Sequence, residues 1–205
     1  MSYSVESEII DGCKKDDRSA QKALYDRFCK KMNAVSYRYT GSYDDAKDIV
    51  HDSFVKIFQK ISSYSGEGSL EGWIRRIVVN HSINFINKKN KHLIKANEEE
   101  QKILNDTVAL TEYSTNESEL DSIYDADLTK EEIIQAINSL KDSYKIIFNL
   151  YVIDSLSHKE ISELLNIKEE LSRIRLQRAR KVLQSILIGV VNSKRKEKTD
   201  AGFFR

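Results

Sequence analysis

The sequence predicts an all-α protein made of two small helical domains joined by an acidic linker. The chain has no Pro and only 7 Gly in 205 residues, and its apolar residues repeat at helical spacing. Residues 98–127 instead hold ten acidic residues and one basic residue, which is typical of a solvated linker. The predicted boundaries are residues 1–95, 96–128 for the linker, 129–193, and 194–205 for a basic tail.

Composition argues against several classes of protein. The two cysteines, Cys13 and Cys29, show neither a metal-ligand pattern nor a disulfide framework, which suits a reducing compartment. No apolar run approaches the roughly 20 residues that span a bilayer, and the acidic N-terminus lacks a signal-peptide core. We therefore expect a cytoplasmic protein without membrane insertion, catalytic residues, bound metal or cofactor.

The first domain reads as consecutive helices. In ALYDRFCKKMNAVSYRY and GSYDDAKDIVHDSFVKIFQKI the apolar residues recur at helical spacing, and Asp44 or Asp45 is the predicted N-cap of the second stretch. Residues 63–72, SYSGEGSLEG, hold three of the 7 Gly and predict a loop. The predicted inward side of the first stretch is formed by Ala23, Leu24, Phe28, Met32, Val35 and Tyr39.

The predicted helix after the loop carries charge of one sign only. Residues 73–95 contain six Lys and Arg and no Asp or Glu, although the whole chain carries a net charge of +1. A helical wheel places an aromatic ring, a guanidinium and three amides on one stripe opposite the apolar residues: Trp73, Arg76, Asn80, Asn84 and Asn87. A merely solvated stripe normally mixes both signs of charge, so contact with nucleic acid is favoured.

The second domain has the pattern of a helix-turn-helix. Thr129 with Glu132 and Ser157 with Glu160 predict capping boxes, and Asn166 predicts the left-handed turn after the short helix SHKEISELLN. The long basic helix KEELSRIRLQRARKVLQSIL follows. A three-helix bundle would show similar apolar spacing, but the basic second helix and the small Ser162 favour DNA binding.

Two long blocks resemble a known family. DAKDIVHDSFVKIFQKISSYSGEGSLEGWIRRIVVNHSINFINKKN resembles the second conserved region of the sigma-70 family, and EIIQAINSLKDSYKIIFNLYVIDSLSHKEISELLNIKEELSRIRLQRARKVL resembles its fourth. With a short linker between them and no long N-terminal extension, the chain resembles an extracytoplasmic-function sigma factor. The resemblance implies core RNA polymerase as partner, through the clamp helices of its largest subunit and the flap of the second largest. It also implies promoter DNA, including a single-stranded −10 element. An anti-sigma factor and a DNA-bound recruiting partner stay open.

The resemblance also implies roles for individual residues. Polymerase contacts are expected from Asp45, Asp48, Asp52, Phe54 and Lys56. Contacts with the −10 element, including a loop that receives a flipped base, are expected from Tyr64, Gly66, Gly68, Ser69, Trp73, Arg76, Asn80, Asn84, Lys88 and Lys89. Contacts with the −35 element are expected from Lys159, Arg173, Arg175, Gln177, Arg178 and Arg180.

The chain departs from the family pattern at defined positions. Residues 168–171 read Lys-Glu-Glu-Leu where the family usually has Ser-Glu-Gly-Thr, Asn84 stands where the family often has Asp, and Lys141 replaces a common Pro. Because acids at the start of a recognition helix repel phosphate, although Glu170 could accept from a cytosine amino group, we expect the −35 element to be read weakly or with an unusual preference. Two other functions stay open from the sequence: a helix-turn-helix regulator that binds duplex DNA without polymerase, and an all-helical adaptor. Only the sigma factor explains the basic stretch after a loop suited to a flipped base.

Overall fold

The computed structural model describes residues 5–89, Glu100 and 128–203, with side chains as far as Arg195. Every regular element in these residues is helical, so the predicted all-α fold is confirmed. The chain divides into two compact units, Met1–Lys91 and His92–Arg205. Most of the predicted linker and the side chains of the tail after Arg195 lie outside the described residues. No helix within the described ranges is both long and apolar enough to cross a membrane.

The first unit is a bundle built around one long helix. Its elements are α1 (Glu6–Lys14), α2 (Arg18–Thr40), α3 (Tyr43–Lys60), a 3-10 turn (Ile61–Ser63) and α4 (Leu70–Lys89). Helix α2 packs against the other three helices, and α3 also packs against α4. The predicted inward residues of α2 are buried except Ala23, whose place in the core is taken by Ala20.

Hydroxyl groups connect the buried helices. Ser82 donates to the Val78 carbonyl at 2.9 Å, so its oxygen accepts from Ser36 of α2 across 3.0 Å. Ser53 of α3 likewise donates to a carbonyl of its own helix at 2.6 Å. Its oxygen therefore accepts from Nδ1 of His81 in α4, which lies 3.0 Å away. These bonds satisfy polar groups that would otherwise be costly to bury.

The N-cap of α3 differs from the prediction. Ser42, which directly precedes the first helical residue, accepts a hydrogen bond from the backbone N–H of Asp45 at 3.2 Å. Asp44 and Asp45 already lie in the first turn, where their charges favour the positive end of the helix dipole. The prediction of an aspartate cap was wrong because three residues that can cap a helix, Ser42, Asp44 and Asp45, stand almost together.

The second unit contains the predicted helix-turn-helix. Its elements are α5 (Lys130–Asn138), α6 (Asp142–Phe148), a π-helical turn (Asn149–Ile153), α7 (His158–Leu165) and α8 (Glu169–Phe203). Both predicted capping boxes are confirmed, at Thr129 and at Ser157. Asn166 adopts the left-handed conformation with φ of 51° and ψ of 51°, as predicted, and turns the chain from α7 into α8.

Helix α8 continues beyond the predicted boundary at residue 193, through to Phe203. Val191 is buried, and the ammonium of Lys194 lies 2.7 Å from a carboxylate oxygen of Glu132 in α5. This ion pair and the Thr129 backbone N–H lower the pKa of Glu132. The later part of α8 is thus fastened to the first helix of its own unit.

Candidate nucleic-acid interface

The loop between the 3-10 turn and α4 depends on two left-handed glycines. Gly66 has φ of 85° and Gly68 has φ of 79°, a conformation that side chains with a Cβ rarely adopt. A Cβ at either position would meet no atom within 4 Å, so backbone conformation, and not crowding, requires glycine. At the end of the loop, Ser69 accepts a hydrogen bond from the Gly72 N–H at 3.1 Å and caps the start of α4.

Tyr64 closes this loop. Its hydroxyl donates to the carbonyl of Gly68 at 2.8 Å, across the four-residue span of the loop. Its ring lies against that of Trp73, with centroids 5.6 Å apart and planes inclined by 49°. The loop therefore has an aromatic wall made by one residue on each side of it, a surface on which a base can stack.

The predicted stripe of α4 faces outward. Arg76 and Asn84 are exposed, and Trp73, Asn80 and Asn87 are half-buried. The opposite side is buried through Ile74, Val78, Val79, Ser82, Ile83 and Ile86. Two further apolar residues of the helix, Ile77 and Phe85, are only half-buried at the margin of that side. The ring of Trp73, the guanidinium of Arg76 and the amide of Asn84 thus follow one another in a line that begins at the loop, whereas the Oδ1 atoms of Asn80 and Asn87 are buried.

The acidic edge of α3 is also exposed, with one exception among its predicted contacts. Asp48, Asp52 and Lys56 are exposed and Asp45 is half-buried. Phe54 is 2% exposed and packs edge-on against Tyr25 at 4.8 Å between ring centroids. Helical spacing explains its place, because Val50 and Ile57, four residues before and three after, are buried too. Phe54 supports the edge from inside the core.

A groove of about 680 Å³ joins the two predicted surfaces of the first unit. It runs between α3 and α4 and is lined by Ile49, Asp52, Val55, Lys56, Gln59, His81, Asn84, Phe85, Asn87 and Lys88. Burial, with the positive charge of Lys56 as second cause, lowers the pKa of His81. Near one end Lys89, a predicted DNA contact, forms an ion pair with Asp45, a predicted polymerase contact, at 2.9 Å.

The outward face of the helix-turn-helix carries both signs of charge. Lys159, Arg173 and Arg180 are exposed, while Gln177 and Arg178 are half-buried. Glu169 forms an ion pair with Arg173, and Glu170 is exposed on the same stripe. Arg178 donates to the Tyr144 hydroxyl at 3.4 Å. Glu169, an acid that the family pattern also has, therefore neutralises one of the candidate phosphate contacts, while Glu170, which replaces the usual Gly of the family, adds a further exposed acid.

Arg175 does not share that face. Its side chain is 3% exposed and forms an ion pair with Glu100 at 3.1 Å. Leu171 and Ala179, four residues before and after it, are both buried. In this structure the guanidinium is therefore not on a surface that DNA could reach. Leu171 itself fills a core position, which accounts for the leucine at the departure from the family pattern.

Two further residues belong to this surface. Lys181 is exposed and lies four residues after Gln177, so helical spacing alone would have placed it with the predicted contacts. His158, the first residue of α7, stacks on Tyr151 at 4.4 Å between ring centroids, with its Nδ1 2.9 Å from Ser172 Oγ. Burial, followed by the charge of Arg173, lowers the pKa of His158. The Arg180 guanidinium lies over the Tyr151 ring, with its Cζ 5.9 Å from the ring centroid.

Comparison with known proteins assigns both units. Residues 24–92 match the family described as Sigma-70 region 2, and residues 130–183 match the one described as Sigma-70, region 4. The chain is 30% identical over 182 residues to the ECF RNA polymerase sigma factor SigW of Bacillus subtilis, covering 85% of this chain and 92% of that protein. This chain belongs to the extracytoplasmic-function sigma factors of the sigma-70 family. It is a non-catalytic subunit that directs transcription initiation, and family membership implies core RNA polymerase and promoter DNA as its partners.

Other sigma factors are similar over most of this one's length. The ECF RNA polymerase sigma-E factor of Haemophilus influenzae is 25% identical over 180 residues, covering 86% of this chain and 92% of that protein. The sigma factor RpoE of Bartonella quintana, solved in complex with the anti-sigma factor NepR, has a similar fold. That similarity has a TM-score of 0.50 and 18% identity, and covers 81% of this chain and 95% of the other.

Proposed function

We propose that this sigma factor opens promoters mainly through its first unit, with the glycine loop and the α4 stripe reading the single-stranded −10 element. The supporting observation is that the loop, its Tyr64–Trp73 wall and the exposed Arg76 and Asn84 follow one another along one side of α4, with Asn80 half-buried between them. A flipped base leaves its stack at a cost of a few kcal/mol, which stacking and hydrogen bonding to the base must offset. Arg76, Lys88 and Lys89 supply charge for the phosphates.

The test separates DNA opening from polymerase binding. Trp73→Ala and Asn80→Ala should lower promoter opening about tenfold or more, because base stacking is worth about 1–3 kcal/mol per base. Permanganate reactivity of the melted strand measures opening, and a titration with core polymerase measures binding, which should be unchanged. Normal permanganate reactivity in both variants would contradict the proposal.

The exposed edge of α3 is the proposed contact with the clamp helices of the largest polymerase subunit. Asp48, Asp52 and Lys56 are accessible together, and Asp45 lies at the beginning of the same edge. Phe54 contributes to this contact only by supporting the helix from behind. Region 4 is proposed to engage the flap of the second-largest subunit. Since polymerase works in the bacterial cytoplasm, we propose that compartment for this protein.

The helix-turn-helix is proposed to bind −35 DNA with low discrimination. Lys159, Gln177 and Arg180 are proposed to contact phosphates and base edges, together with Arg178, which also bonds to the Tyr144 hydroxyl. Arg173 is paired with Glu169. Phosphate contacts give affinity without sequence information. A DNA-bound partner that recruits the protein would supply the missing selectivity. The fold is shared with a sigma factor bound by an anti-sigma factor, and we propose that this chain is also held inactive by such a partner.

A further inference from the structure

A buried ion pair joins a residue of the acidic segment to the recognition helix. Arg175 donates from Nε to one carboxylate oxygen of Glu100 at 3.3 Å and from Nη2 to the other at 3.1 Å. The two side chains are 3% and 1% exposed, and the residues are 75 positions apart in the sequence. Two parallel bonds between a guanidinium and a carboxylate fix the mutual orientation of both groups.

Burial makes each partner depend on the other. A buried charge without its counter-ion is strongly unfavourable, so loss of either side chain destabilises far more than replacement of both by apolar groups. The ion pair between Glu169 and Arg173 at the start of α8 differs from this buried pair. The side chain of Glu169 is 36% exposed and that of Arg173 is 53% exposed. Exposed pairs of that kind contribute little to stability.

Arg175 lies where it can determine the rotation of α8. Its neighbours on the inward side, Leu171 and Ala179, are buried, and Arg173 and Gln177 lie toward the outside. An anchor on the inward side therefore sets which side chains of the helix reach DNA. Among the described residues that form hydrogen bonds with side chains of α8, Glu100 alone lies outside residues 128–203.

We propose that Glu100 is a positioning residue of the promoter-binding unit, which holds the recognition helix through Arg175. The unit that functions therefore includes part of the segment that charge alone assigned to the linker. The proposal rests on the proposed −35 binding by this unit. It assigns Arg175 to the interior, against the alternative that Arg175 binds a DNA phosphate.

The experiment uses the full chain and compares single with paired substitutions. Glu100→Gln and Arg175→Met each remove one charge of the buried pair, whereas Glu100→Leu combined with Arg175→Met removes both. Glu99→Gln is the control for loss of a neighbouring acid, and Arg173→Gln is the control for loss of an exposed arginine. Stability of the second unit is measured by amide hydrogen exchange of α8. Fluorescence of Trp73, the single Trp of the chain, reports the first unit separately.

Each single substitution should raise the amide exchange rates of α8 at least tenfold and leave the unfolding transition followed by Trp73 fluorescence unchanged. The paired substitution should bring the exchange rates back to within about threefold of wild type. Binding to a short fluorescent duplex of mixed sequence is then measured against salt concentration. The paired variant should keep the wild-type salt slope, whereas loss of one phosphate contact lowers the slope by about 1. Arg180→Gln, at an exposed residue proposed to contact DNA, tests the −35 contact itself, independently of the exchange result.

Two results would overturn the inference. Unchanged α8 exchange in both single variants would show that the pair does not hold the helix. A protected paired variant with a slope lowered by about 1 would show that Arg175 contacts phosphate after all. If Arg180→Gln left duplex binding unchanged, the proposed −35 contact would fail, while the exchange data would still decide the role of Glu100.

Discussion

At the scale of single residues, the hydroxyl of Tyr64 has a defined role that a phenyl ring could not fill. It bonds to the Gly68 carbonyl at 2.8 Å while the ring itself lies against Trp73. Tyr64→Phe keeps the aromatic wall and removes only the bond that closes the loop. A neutral hydrogen bond contributes about 1 kcal/mol, so the ordered loop should become about fivefold less populated. We expect a similar reduction in the rate of open-complex formation, measured by permanganate footprinting over time.

Tyr37→Phe is the matched control, because Tyr37 lies on α2 and stacks on Tyr43, away from the loop. It should leave the opening rate unchanged. Equal opening rates for Tyr64→Phe and the wild type would show that the loop needs no closing bond.

Residue identity alone predicted the candidate site only in part. Arg173, Arg175 and Arg180 are chemically identical, yet they lie respectively in an exposed ion pair, in a buried ion pair and over an aromatic ring. Their positions on the helix decide these differences, and the buried Leu171 and Ala179 on either side of Arg175 were readable from sequence. The same holds for Phe54 in α3, which the buried Val50 and Ile57 place on the inward side of that helix. The partner of Arg175 was not predictable, because nothing local connects positions 75 residues apart.

At the scale of elements, short-range signals were predictive because their partners are neighbours in sequence. The two capping boxes each need only a hydroxyl and a carboxylate three residues apart. The two left-handed glycines of the loop were expected to allow close backbone approach, and the structure gives their positive φ as the reason for glycine. The continuation of α8 past residue 193 depends on packing against α5, which the basic composition of the tail did not reveal.

The turn of the helix-turn-helix provides a test at this scale. Asn166 has φ of 51°, where a residue with a Cβ pays about 1–2 kcal/mol unless it is Asn or Asp. Asn166→Ala should therefore lower the free energy of unfolding of the second unit by about 1 kcal/mol and weaken duplex binding. Hydrogen exchange of α7 and α8 measures the first effect and fluorescence anisotropy the second.

Asn166→Gly is the control, since glycine adopts this conformation without strain. It should retain wild-type protection or exceed it. If alanine were tolerated as well as glycine, the left-handed turn would not be a determinant of the motif.

At the scale of the whole molecule, a net charge of +1 conceals surfaces that carry charge of opposite sign. The edge of α3 is acidic, while the outward side of α4 has no acid from Trp73 onward. Family membership, the two-unit division and the all-α fold were all predictable, because conserved motif order and helical periodicity extend over most of the chain. The extent of the second unit was not, since Glu100 belongs to it by a long-range contact and to the linker by composition.

Charge reversal tests the acidic edge as the polymerase contact. Asp48→Lys combined with Asp52→Lys should lower both the association rate and the affinity for core polymerase, because attraction becomes repulsion. Glu8→Lys with Asp11→Lys makes the same change in net charge on two exposed positions of α1, and should have little effect. Equal affinity of the two double variants in a pull-down titration at moderate salt would argue against the α3 edge.

Weak recognition of the −35 element by the second unit has a consequence for the first unit. A sigma factor that discriminates poorly at −35 must obtain its promoter selectivity elsewhere. Scrambling the −35 sequence of a cognate promoter should reduce run-off transcription only about two- to fivefold, since phosphate contacts survive while base contacts change. Glu169→Gln releases Arg173 from its ion pair, and should strengthen duplex binding about two- to fivefold, the range that exposed pairs contribute. Scrambling the −10 element of the same promoter should abolish transcription. Collapse to background after scrambling −35 alone would mean that α8 reads bases in the usual manner and that its opening acids do not weaken it.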